Sequence, residues 1–338
     1  MSLTTFVRGT ALAAALTIAS LAAPSPAVAQ LKSIFCWPTP AAPYLLPYIV
    51  AKDLGWYQKW GLDAQEVIVQ GDTNCTRLVL QGEADVSALG PNIVMNAILK
   101  GGEITTIVSW MPISDYRFVV PKDSPIKAFR EVAEQGLTLA ASDPGGMPAE
   151  YPKMIWEKHG VKYDKVSIIS VGGMGARLQA VIAGKADATL VDTFSAVVGE
   201  TQGKTRILVN MADEFPGLSH LSMVALKKSL NDPQKRAALR LFVRGGIEGA
   251  RYIQKDPDGA ADVLKKRTPT IDIEITRKVL RALNAGNHWG INGGLEPEIT
   301  KVSGEAYAKR GMIPQAMKYE EVVDPSLVDE VLKEIGKL

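Results

Sequence analysis

From Leu31 onward the apolar positions follow two alternating rhythms. Short runs that are continuous or alternate every second residue, LKSIFCW (31–37), AQEVIVQ (64–70), ADVSALG (84–90) and TTIVSWM (105–111), read as strands. Between them lie stretches with helical spacing: one from about Pro43 to Leu54, then TNCTRLVLQG and PNIVMNAILKGG. Pro43 sits where a helix start tolerates proline, and Gly55 where a helix end prefers glycine. This alternation predicts parallel βαβ units and an open α/β sheet. The pattern then restarts. YRFVVPKD (116–123), LTLAAS (137–142), KVSIISV (165–171), ADATLVD (186–192), RILVNM (206–211) and LSMVALKK (221–228) read as strands. AEYPKMIWEKHG and GGMGARLQAVIAG are the helices expected among them, with Pro152 in the first turn of the former. Beyond Asp232 the spacing is helical to the end, closing on PSLVDEVLKEIG with Leu327, Val328, Val331, Leu332 and Ile335 on one face.

The chain also repeats itself. Adding 102 to the residue number carries GDTNCTRLVLQGEADVSALG (71–90) onto GGMGARLQAVIAGKADATLVD (172–192): Gly71 falls on Gly173, Val79 on Val181, Gly82 on Gly184, Ala84 on Ala186 and Asp85 on Asp187. Gly82 and Gly184 are expected to end their helices in a left-handed turn. Gly-x-Ala-Asp therefore reads as a structural turn that marks architecture. Two similar lobes followed by a helical tail describe a two-lobed protein with a cleft.

Composition changes this picture at the amino terminus. Arg8, the apolar run ALAAALTIASLAA and the small-residue pattern Ala27-Val28-Ala29 predict a secretory signal peptide over residues 1–29, its apolar run too short to span a bilayer. Ile34 and Phe35 are too large for a lipoprotein processing box before Cys36. The mature, periplasmic chain would start near Gln30 and is long enough for two domains. Net charge is +2 and the charges are interspersed, so neither nucleic acid nor an anionic membrane surface is an expected partner. In an exported protein Cys36 and Cys75 either pair or remain as two buried thiols. His159, His220 and His288 have no metal-ligand spacing, no Gly-x-Ser-x-Gly elbow occurs, and GGMGAR lacks the spacing of a dinucleotide loop. No catalytic residue, metal or cofactor is expected, and the chain does not read as an enzyme.

PYLLPYIVAKDLGWYQKWGLDAQEV, followed in order by LVLQGEADVSALG, NAILKGGEI, PKDSPIK and AVIAGKADATLVD, resembles the periplasmic solute-binding proteins of ABC transporters of the nitrate/sulfonate/taurine type. GLEPEITKVSGEAYAKRGMI resembles that family's closing helices, so the resemblance covers nearly all of the mature chain. It implies a type II periplasmic binding protein: two lobes with parallel-rich mixed sheets, joined by a two-segment hinge, with a helical C-terminal tail on lobe one. Lobe one would comprise 30–115 plus 217–338, and lobe two 116–216. The crossings would lie near Pro112–Arg117 and Asp213–Leu221. The implied partners are a small-molecule ligand and an ABC permease in the inner membrane, with the receptor a monomer. The family includes relatives that bind pyrimidine precursors of thiamine, so membership does not fix the ligand. A ligand-sensing partner of a sensor kinase and an exported enzyme on the same scaffold are the alternatives.

In open α/β sheets ligands bind at the carboxyl ends of the strands. The corresponding loops nominate Trp37, Thr39, Asp72, Asn74, Asn92 and Trp110 from lobe one, and Ser142, Gly146, Met147, Met174, Arg177 and Asp192 from lobe two. Helix starts in those loops turn free amides toward the cleft and favour a carboxylate or sulfonate. Trp37 and Trp110 would stack on a ligand or fill the core. Arg177 would clamp an anion or sit in solvent. Asp192 would accept from a ligand amine or hydroxyl, or pair with Arg177. Two tryptophans, two methionines and one arginine point to an organic ligand, aromatic or a carboxylate or sulfonate.

Overall fold

The computed structural model describes residues 31–37, 43–69, 72–142 and 147–338. The expected signal peptide, Thr39 and Gly146 lie outside the described residues, as does the side chain of Asp72. The first half runs β1 (Leu31–Trp37), α1 (Leu46–Asp53), α2 (Trp56–Lys59), β2 (Leu62–Ile68), α3 (Asp72–Gln81), β3 (Val86–Leu89), α4 (Pro91–Leu99) and β4 (Ile104–Val108). The second runs β5 (Arg117–Pro121), α5 (Phe129–Glu134), β6 (Thr138–Ala141), α6 (Met147–Lys158), β7 (Ser167–Ser170), α7 (Met174–Ile182), β8 (Ala188–Val191), α8 (Thr193–Thr201), β9 (Thr205–Asn210) and α9 (Met211–Glu214). The chain then returns as β10 (Ser222–Leu226) and continues through α10 (Pro233–Lys255), α11 (Pro257–Arg267), α12 (Ile273–Ala285), α13 (Pro297–Lys309), α14 (Tyr319–Val322) and α15 (Ser326–Ile335).

The strands form two five-stranded sheets with one plan. Sheet one has the order β2-β1-β3-β10-β4, and sheet two β7-β6-β8-β5-β9. In each, the first three strands are mutually parallel, and the fourth, the strand that follows a crossing between the halves, is antiparallel to both neighbours. Every residue of β3, β4, β8 and β10 is buried, as expected of strands covered by helices on both faces.

The repeat of 102 has a structural cause. Asp85 donates its amide to the Ile34 carbonyl (2.9 Å) while its carboxylate accepts from the Ile34 amide (2.9 Å). Asp187 makes the same clamp on Thr138, at 2.9 and 2.8 Å. Ser87 and Thr189, again 102 apart, donate their hydroxyls to the carbonyls of Cys36 and Ala140. Gly82 and Gly184 take φ of 76° and 68°, which glycine adopts without steric cost. The motif thus pins β1 to β3 in sheet one and β6 to β8 in sheet two, the second and third strands of each order. Cys36 and Cys75 form a disulfide between β1 and α3.

Three expectations change. Pro152 is the sixth residue of α6, beyond the first turn, because the helix begins at Met147. Two helices without a clear apolar stripe in the sequence, α5 and α8, complete the second half. The tail is not confined to lobe one: α10 packs on β1 and α1, but α12 packs on α8, and Arg310 after α13 reaches α6.

Candidate functional site

The two sheets are joined where Pro112–Tyr116 and Leu218–Leu221 run side by side. The Ser114 amide donates to the Leu218 carbonyl (3.0 Å), the His220 amide to the Pro112 carbonyl (3.2 Å), and Ile113 and Ser219 form a bridge. His288, fully buried after α12, braces the first crossing. Its Nδ1 donates to the Ile113 carbonyl (3.3 Å), which leaves Nε2 to accept from the Arg117 guanidinium (3.2 Å). The ring is therefore neutral. Burial, and next the Arg117 charge, lower its pKa.

A cavity of about 150 Å³ opens against this junction. Lobe one contributes Tyr44, Ala88 and Gly90; lobe two contributes Met147, Met174 and Asp192; the crossings contribute Asp115, Tyr116, His220 and Leu221. Gly90 and Asp192 are again 102 apart, each the residue before a helix start, so the duplicated unit supplies a wall from each side. Asp192 caps α8 by accepting from the Ser195 amide (2.8 Å). Asp115 accepts from the Thr193 amide (3.3 Å) at the same helix end, and its own carbonyl accepts from the Thr193 hydroxyl (2.8 Å). Burial raises the Asp192 pKa, and the neighbouring Asp115 charge raises it further, against the bond from Ser195. The His220 ring lies edge-on to Tyr44 and Tyr116, with centroids 6.0 and 5.6 Å away. Its Nδ1 stands 3.5 Å from Asp115 Oδ1, an ion-pair distance that lacks hydrogen-bond alignment. A larger groove, about 940 Å³, lies between α3 and α4 and is lined by lobe one alone.

Of the nominated residues, Met147, Met174 and Asp192 meet in the cavity. Trp37 (2% exposed) packs edge-on against Tyr48 in the core of lobe one, with the Arg267 guanidinium 5.5 Å above its ring. Trp110 is fully buried against Phe35 and Phe242. Both fill core. Arg177 is buried too, spending its guanidinium on the carbonyls of Leu190 (3.1 and 3.3 Å) and Gly172 (2.6 Å), so it pairs with backbone and not with Asp192. Asn74 is exposed on α3, while Asn92 in the first turn of α4 and Ser142 after β6 are half-buried and stand outside the cavity lining. Asp72 opens α3. Tyr44, Asp115, Tyr116 and His220 are the polar or aromatic cavity residues that loop reasoning did not nominate. Their signal was position: three of the four lie in the segments expected to cross between lobes. Among the described residues no cluster of three or more His, Cys, Asp or Glu is arranged to hold a metal ion.

Two similar α/β lobes, a paired double crossing and a cavity between them define the periplasmic-binding-protein fold. The chain belongs to the NMT1/THI5-like family, whose model matches residues 42–260. Solved structures share this fold at low identity. The putative periplasmic sulfonate-binding protein of Methylobacillus flagellatus has a TM-score of 0.67 and 15% identity, covering 91% of this chain and 96% of its own. The periplasmic nitrate-binding protein of Synechocystis has a TM-score of 0.69 and 13% identity, covering 90% and 89%. The zinc-bound ligand-binding component of an ABC-type import system from Staphylococcus aureus has a TM-score of 0.69 and 14% identity, covering 89% and 98%. No curated protein sequence matches the chain significantly. Among the described residues no helix is long and apolar enough to cross a membrane.

Proposed function

We propose that the protein is an extracytoplasmic solute-binding receptor that captures a small organic ligand between its lobes and presents it to an ABC permease. The observation that carries this reading is the cavity at the junction, walled by both lobes and both crossings. Ligand contact with all four would couple occupancy to the angle between the sheets. Family membership and fold neighbours described as binding components of import systems support the same role. In this reading residues 1–29 direct export, 30–115 with 217–338 and 116–216 move as the two lobes, and the receptor acts as a monomer without turning its ligand over.

Thermal-shift screening of the mature chain against a metabolite panel tests the proposal. A ligand at 100 times its Kd adds about 2.7 kcal/mol to stability, so a true ligand raises the melting temperature and is recovered unchanged. Chemical conversion of the ligand would make the protein an enzyme. A panel spanning cations, anions and neutral compounds that leaves the melting temperature unmoved would sink the receptor reading.

A further inference from the structure

We infer that the ligand carries a positively charged nitrogen, an ammonium or amidinium group, seated between Asp115 and Asp192 and beside the rings of Tyr44 and Tyr116. The inference rests on the receptor reading and assigns its ligand class. It runs against the sulfonate and nitrate named for the structural neighbours.

Asp115 carries the argument. It is 4% exposed, and only its Oδ2 has a donor, the Thr193 amide at 3.3 Å. Oδ1 is buried and has no hydrogen-bond partner among the described residues, with His220 Nδ1 3.5 Å away and out of hydrogen-bond alignment, and Asp115 lines the cavity. A buried carboxylate oxygen without a donor is costly, and a cationic N–H group is the partner that recovers most of that cost. Asp192 adds a second carboxylate to the same cavity. Both already occupy the amino terminus of α8, where they satisfy the amides of Ser195 and Thr193 that would otherwise attract an anionic ligand.

Among the described residues, the nearby arginines direct their charge away from the cavity. Arg177 is turned onto the carbonyls of Leu190 and Gly172. Arg117 lies behind Asp115, bonded to His288 and the Tyr116 carbonyl, and shares its field with Asp213. His288 is neutral. Among the described residues lining the cavity, His220 alone carries a ring nitrogen, and its Nδ1 stands 3.5 Å from Asp115 Oδ1 without hydrogen-bond alignment, so that oxygen still lacks a donor. A sulfonate would bring a third negative charge beside two carboxylates, whereas an organic cation is drawn to carboxylates and tyrosine rings alike. The thioether-bearing Met147 and Met174 leave apolar wall for its carbon body.

Matched probes test this by titration calorimetry and melting temperature on the mature chain. Benzamidinium and benzylammonium are expected to bind at least about tenfold more tightly than benzamide, benzoate and benzenesulfonate. Asp115→Asn and Asp192→Asn should each weaken the cations about tenfold or more and leave benzamide unchanged. Asparagine keeps an acceptor for the Thr193 and Ser195 amides, so both variants retain the cap and the unliganded melting temperature. Because burial, and next the Asp115 charge, raise the Asp192 pKa, cation affinity should fall on acidification as that carboxyl takes up a proton, and the fall should shrink in Asp192→Asn. Benzoate or benzenesulfonate binding as tightly as benzamidinium overturns the inference, as does full cation affinity in Asp115→Asn. If every probe fails and the metabolite panel yields an anionic or neutral ligand, the ligand class is wrong and the receptor reading stands. If nothing in the panel binds, both fall together.

Discussion

Gly246 sits where α10 crosses Trp110. A Cβ placed there would stand 2.2 Å from Cε3 and 2.5 Å from Cζ3 of that ring. The ring has nowhere to go: it is fully buried, with Phe242 at 5.4 Å and Phe35 at 6.0 Å. Alanine gains up to about 1 kcal/mol over glycine in a helix interior, while overpacking a filled core costs about 1–3 kcal/mol. Gly246→Ala is therefore expected to lower the urea midpoint, with a net loss of about 1–2 kcal/mol. An unchanged midpoint would mean that α10 slides without cost. The same contact explains why the tryptophans were ambiguous in sequence. Trp37 and Trp110 end strands, which fits either a ligand platform or core. What decides is a helix more than a hundred residues away whose glycines let it press onto the sheet, and no feature near either tryptophan encodes that. Asp192 was legible because a strand end and a helix start coincide there. Asp115 and His220 were not, since crossing segments follow neither rhythm and His220 was weighed only as a metal ligand.

At the scale of elements, the strands and the duplicated turn were readable because their causes are local. Gly82 and Gly184 need positive φ, and Asp85 and Asp187 clamp the strand beside them. Helices α5 and α8 were harder to read, as short helices lean on tertiary packing more than on their own periodicity. The start of α6 depends on Met147, just after a loop rich in glycine and proline, so Pro152 was placed one turn too early. The pairing of cysteines was open for a different reason: sequence places Cys36 and Cys75 on adjacent elements but does not orient them. Their disulfide closes a loop with a sequence separation of 39. Cross-linking a loop of that length removes chain entropy worth about 4 kcal/mol from the unfolded state. Cys36→Ser with Cys75→Ser, or reduction of the native chain in denaturant, is expected to lose about 2–4 kcal/mol. Both positions are fully buried, and serine adds unpaired hydroxyls, so Cys→Ala at both sites separates loss of the cross-link from burial of a polar group. A double alanine variant as stable as the native protein would show that the bridge contributes nothing.

Across the whole molecule, a polar seam joins α6 of lobe two to α13 of the tail, where it would bear on the proposed lobe motion. Arg310 donates its Nε to Glu150 (2.8 Å) and also pairs with Glu157, while Lys153 holds the other Glu150 oxygen at 2.7 Å. Beside them the Tyr307 hydroxyl donates to the Ser219 carbonyl (3.2 Å), so the Tyr151 hydroxyl must donate to Tyr307. The seam thus ties lobe two, the tail and the second crossing together. Glu150 is 7% exposed. Removing one partner of a fully buried pair costs about 3–5 kcal/mol, and Lys153 remains as a second partner here, so a loss of about 1–2 kcal/mol from the observed arrangement is the reasonable scale. A shift of that size changes the ratio of two lobe arrangements by roughly tenfold, and apparent ligand affinity falls with the competent fraction. Arg310→Met, which keeps an unbranched apolar stem without the guanidinium, is expected to increase the radius of gyration of the unliganded protein in solution scattering. It should also weaken binding of any ligand that the cavity accepts, although Arg310 lies outside the cavity lining. Scattering and affinity that both match the native protein would reduce the seam to a contributor to stability, with no part in setting the angle between the lobes.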